Sequence, residues 1–148
     1  MPADADLALM EESLAALGDD GEGMAAELMD RLIADHPQYA HAFMNPEAAR
    51  ERMTRETLEA LLGLAAGEPW VATTIANFVD LHHDYASFSA DDYAAWLAMT
   101  IAAMERRAGA RWPAGASAAW RRQAAHLIKL IQVELARETT QKGIAAVR

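Results

Sequence analysis

The chain has 148 residues, 53% of them apolar, with a formal net charge of −9 and no cysteine. That describes one globular domain with room for a core, and it excludes disulfides, thiolate metal sites, iron–sulfur clusters and cysteine nucleophiles. So acidic a surface argues against nucleic-acid and anionic-lipid partners, no apolar run approaches the roughly 20 residues of a membrane span, and the opening MPADADLALMEESL carries no basic or apolar leader, so the expected setting is cytoplasmic.

Alanine, leucine, methionine and glutamate dominate, and no strand-like alternation occurs, so the expected class is all-α. A first helix is expected over about 6–17, capped by Asp4 or Asp6, with Leu7, Met10, Leu14 and Leu17 on one face and Gly18 as its stop. A second spans about 22–35, with Ala25, Leu28, Met29, Leu32 and Ile33 inward. Pro37 then diverts the chain into a short tight helix through PQYAHAF, ending near Phe43. Asn45 and Pro46 are a cap and a first-turn proline. The helix they start reaches about Ala66 and turns Met53, Thr57, Leu58, Leu61, Leu64 and Ala65 inward. Gly67 ends it, and Pro69 opens the stretch WVATTIANFVDLHHDY. Ser89, followed by Ala90, Asp91 and Asp92, is a capped acidic start that suits the helix dipole. That helix carries Tyr93, Trp96, Leu97, Thr100, Ile101 and Met104 to Gly109. After the turn ARWPAGA, a last helix is expected over about 117–138, followed by a frayed tail at 139–148. The sum is one domain, 1–148, with a core over about 6–138. The short pieces at Pro37 and Pro69 favour an irregular helical sandwich that encloses something. The arginines at 50, 52 and 55 and at 106, 107 and 111 are expected on solvated helix faces.

No serine sits in a Gly-rich elbow, no P-loop or dinucleotide fingerprint occurs, and no Glu-x-x-His di-iron motif is present. His36 and His41 are expected at the surface, and His126 partly buried within the last helix. Adjacent histidines on a helix point about 100° apart, so His82 and His83 do not share one ion. His82 continues the apolar series Val71, Ile75 and Phe78, which carries it to the buried face. The opposing segments offer Met29, Phe43 and Met53, and a buried polar group without a partner costs about 1–3 kcal/mol. A metal inside a flat apolar cofactor satisfies such an imidazole, and haem iron commonly takes one histidine from the protein.

At this point the chain resembles the globins, over about residues 6–138. LMDRLIADHPQYAHAF at 28–43 resembles the second and third globin helices, with Pro37 followed six residues later by Phe43. Trp70–Val71, Ile75, Phe78, His82 and Tyr85 resemble the proximal helix, and GARWPAGASAAW resembles the junction of the last two helices. The resemblance implies six to seven helices in a three-over-three sandwich around haem b. His82 would be the proximal ligand, with His83 as the alternative. The implied haem contacts are Phe43, Met29, Met53, Thr57, Phe78, Phe88 and Tyr93. A diatomic gas (O2, NO or CO) would bind opposite the histidine. Single-domain bacterial haemoglobins are the nearest pattern.

The distal side departs from that pattern. Met29 stands where bacterial haemoglobins often carry tyrosine, and Met53 (Thr54 if the register slips) where histidine or glutamine is usual. Only the Thr57 hydroxyl remains as a donor to bound O2, so weak O2 retention is expected, with NO and CO relatively favoured. Met53 reads as an apolar gap-filler, and it is also a candidate sixth ligand, which would suit electron transfer or redox sensing. On the proximal side Tyr93 matches the flavohaemoglobin tyrosine, whereas Glu134 lies one residue from the position expected for its glutamate partner. A haem-free globin-fold sensor or interaction module is the alternative function. Enzyme activity, as an NO dioxygenase or peroxidase, ranks third and would need an external reductase.

Overall fold

A computed structural model describes residues 2–43, 45–83 and 88–147. It is helical: α1 (Pro2–Leu17), α2 (Gly21–Asp35), a 3-10 segment (Pro37–Ala42), α3 (Pro46–Ala65), α4 (Trp70–His83), α5 (Ala90–Ala108), a 3-10 turn (Gly109–Arg111) and α6 (Ala116–Val147). No helix among the described residues is long and apolar enough to cross a membrane.

The boundaries follow local chemistry. The Asn45 side chain accepts from the Ala48 N–H at 3.3 Å and Pro46 takes the first turn of α3. At the other end Gly67, at φ +72°, lets the chain reverse while the Glu68 N–H returns to the Gly63 carbonyl at 2.8 Å. Ser89 and Asp92 form a reciprocal capping box at the start of α5.

Helix α6 is the common partner: it packs against α1, α3, α4 and α5, while α2 packs against α3 and α5. Trp120 on α6 is fully buried, and its indole N–H donates to the Ser13 hydroxyl of α1 at 2.8 Å. Ser13 passes the bond on to the Met10 carbonyl at 2.6 Å, so no polar atom of that contact is left unmet. Met10, Met24, Leu28, Leu61, Val71, Ile101 and Met104 close the core around it.

Three expectations change. Asp6 is not a cap: α1 begins earlier, and the Asp6 carboxylate is buried, accepting from Arg122 at 2.6 Å and from Gln123 at 3.1 Å. The hydrogen bond from Arg122 holds its carboxyl below the usual carboxylate range, against the opposing effect of burial. Arg106 and Arg107 do not simply face solvent. They tie α5 to α2, with Arg107 donating to Asp20 at 2.7 Å and to the Gly23 carbonyl at 3.1 Å, and Arg106 pairing with Glu27. The final helix does not fray at 139 but runs to Val147, and the hydroxyls of Thr139 and Thr140 bond back to the Leu135 and Ala136 carbonyls.

Helices α3 and α4 meet most closely at Gly63. A Cβ there would stand 2.7 Å from Val71 Cγ2 and 2.8 Å from Trp70 Cζ2. Gly63→Ala is therefore expected to destabilise the fold by about 1–3 kcal/mol. Urea unfolding checks it, and an unchanged midpoint would show that the two helices can part at no cost.

Candidate functional site

Helix α4 buries Val71, Ile75 and Val79, and His82 follows on the same face one turn later. Val79 takes the fully buried place and Phe78 is half-buried. The His82 ring is enclosed by aromatic rings: Phe78 at 4.4 Å, Phe88 at 5.6 Å and Tyr93 at 5.8 Å between centroids. Tyr39, from the 3-10 segment, closes on Phe88 at 5.1 Å. Rings from α4 itself, from the stretch before α5 and from α5 thus meet one imidazole.

His82 Nδ1 lies 2.8 Å from the Phe78 carbonyl. A carbonyl only accepts, so Nδ1 carries the proton and Nε2 keeps a lone pair. Burial lowers the pKa of His82 from 6.5, with the Phe78 carbonyl and the Glu56 charge opposing in part. A neutral imidazole with one nitrogen anchored and the other basic is what an axial metal ligand requires.

Tyr93 lies behind the ring, its phenol pushed up to about 12 by burial first and then by the charges of Glu138 and Asp92. The carboxyl that reaches it is Glu138, not Glu134. Burial, the charges of Asp80 and Glu134 and a hydrogen bond with Asp80 raise the Glu138 pKa. Glu134 pairs instead with Arg137 at 3.6 Å. Glu138 continues the α6 stripe Leu127, Ile131, Glu134 at helical spacing, a signal visible in the sequence.

On α3, Met53 is half-buried and Thr57 buried. The Thr57 hydroxyl is committed: it donates to the Met53 carbonyl at 2.6 Å and accepts the Trp96 indole N–H at 3.0 Å. It is not the free donor that was expected, and Trp96 is a residue the site reasoning did not include. Met29 is buried on α2 and Phe43 half-buried after the 3-10 segment, while no ring contact joins Phe43 to the His82 cluster among the described residues. The side chain of His83, and Tyr85 altogether, lie outside the described residues. His126 is exposed rather than partly buried. Two polar atoms on α3 are buried with no partner, Thr54 Oγ1 and Arg50 Nε. An unmet buried donor of this kind costs about 1–3 kcal/mol.

Among the described residues no group of three or more His, Asp or Glu gathers to hold a metal ion. The donor chemistry fits a haem iron instead, which needs one neutral imidazole in apolar surroundings. His82 would hold it, with Phe78, Phe88 and Tyr93 around the ligand ring.

Comparison with protein-family models, with curated proteins and with solved structures finds no match. The chemistry of the site therefore rests on its own residues. Because the folded pKa of His82 lies below the unfolded value, its effect on stability is constant above pH 6.5, and stability falls as pH drops below 6.5 toward the folded value. Imidazole C2–H shifts followed by NMR are expected to give a His82 midpoint below 6.5. A midpoint above it would mean the ring is solvated or ion-paired.

Proposed function

We propose that this chain is a haem-binding protein of globin type that reversibly binds a diatomic gas. The observation that carries the reading is the anchored, neutral His82 inside its aromatic enclosure. The order of elements agrees with it: a 3-10 segment after α2, α4 packed on α6, and α2 packed on both α3 and α5. When bound, haem b would supply an iron able to bind a diatomic gas. His82 Nε2 would hold that iron, and the Phe78 carbonyl fixes the proton on Nδ1. Met29, Met53 and the engaged Thr57 offer such a gas no free donor. The expected consequences are weak O2 retention and fast autoxidation, with NO and CO relatively favoured.

Absorption spectra of the purified protein with haemin test both halves of the reading. A Soret band with one haem per chain, lost or reshaped in His82→Ala, is expected. Met53→Ala should leave the ferric and ferrous spectra unchanged if the thioether is packing, and a changed ferrous spectrum would make Met53 a sixth ligand.

A second reading, a haem-free module of the same architecture, draws on one observation. Two open clefts, of about 330 and 450 Å³, are lined by Glu105, Trp112 and Ser117 with their neighbours and by Leu7, Leu62, Gly63 and Trp70 with theirs, and neither is lined by His82. A protein that stays colourless with haemin present during expression and refolding would favour this second reading.

A further inference from the structure

The buried polar side chains among the described residues are Asp6, Ser13, Thr54, Thr57, Thr100 and Gln123. Asp6 and Gln123 bond each other, and Ser13, Thr57 and Thr100 each donate to a carbonyl of their own helix. Thr54 is the exception: it is 5% exposed and its hydroxyl has no partner. It does not even turn back to the carbonyl one turn earlier, the usual resort of a threonine inside a helix. At that earlier turn stands Arg50, whose Nε is likewise buried without a partner. No ion pair joins its guanidinium to a described residue.

Arg50, Thr54, Thr57 and Leu61 form one stripe of α3, spaced by four, three and four residues. Both unmet groups are donors, and one is a cation. A guanidinium N–H and a hydroxyl one turn apart suit the two oxygens of a single carboxylate. Met53 stands beside the stripe and Leu61 further along it. We propose that Arg50 and Thr54 hold the carboxylate of an apolar ligand whose body lies against α3. Two sources share that chemistry, a haem propionate and a free aliphatic carboxylate. The first source rests on the haem reading above.

The test uses the full chain and three probes, haemin, haemin dimethyl ester and decanoate, titrated by tryptophan fluorescence and calorimetry. Wild type is expected to bind haemin roughly tenfold more tightly than its ester, and Arg50→Gln should bring the two together. Thr54→Val should weaken the carboxylate probe by a few-fold while raising the melting temperature of the ligand-free protein, since it removes an unmet hydroxyl. A merely structural threonine would lower that temperature. If decanoate binds, is lost in Arg50→Gln, and haemin does not bind, the carboxylate site stands and the haem reading falls. If haemin binds through His82 but neither variant changes any probe's affinity, the carboxylate site is overturned and the haem reading stands. If no probe binds wild type, both fall.

Discussion

The burial of Trp120 is the contact on which the rest of this fold depends. Its ring lies fully inside, and its single polar atom is satisfied by Ser13, which is satisfied in turn by the Met10 carbonyl. Truncating a ring so placed costs about 3–5 kcal/mol, a large fraction of the stability of a domain this size. The contact fixes α6 against α1, and Asp6 with Arg122 and Gln123 secures the same pair of helices nearby. From that position α6 also meets α3, α4 and α5. The helix that bears the candidate ligand is therefore set by a contact remote from it in sequence.

What α6 supports at its far end is chemically different. There the residues are Tyr93, Glu138 and Asp80, and burial raises the first two toward their neutral forms. His82 is driven to neutrality by the same cause acting on a base. The Phe78 carbonyl then decides which nitrogen carries the proton. A plain core histidine needs only to be satisfied. This one is satisfied on one nitrogen by a backbone carbonyl, and its other nitrogen keeps a lone pair.

The helical class, the caps at Asn45 and Ser89 and the burial of the α4 face were legible in the sequence, because each depends on residues within a few positions of one another. The ring contacts of His82 with Phe88 and Tyr93 were legible only through resemblance, since Phe88 lies outside the helices and Tyr93 on α5. What escaped was long-range and polar. Asp6 looked like a cap because nothing local shows that Arg122, on the opposite end of the chain, will meet it. Thr57 looked like a free donor because its indole partner, Trp96, lies 39 residues away. Arg50 looked like one of a group of solvated arginines and Thr54 only like the slipped alternative to Met53, and only side-chain burial reveals that their donors are unmet.

The central claim is that His82 presents a basic Nε2 to a haem iron. Replacing the side chain by glycine leaves a space that free imidazole can fill, so the claim reduces to one spectrum. Wild type should give a histidine-ligated ferrous spectrum, His82→Gly should lose it, and added imidazole should restore it. A His82→Gly protein whose haem spectrum matches wild type and ignores imidazole would contradict the account.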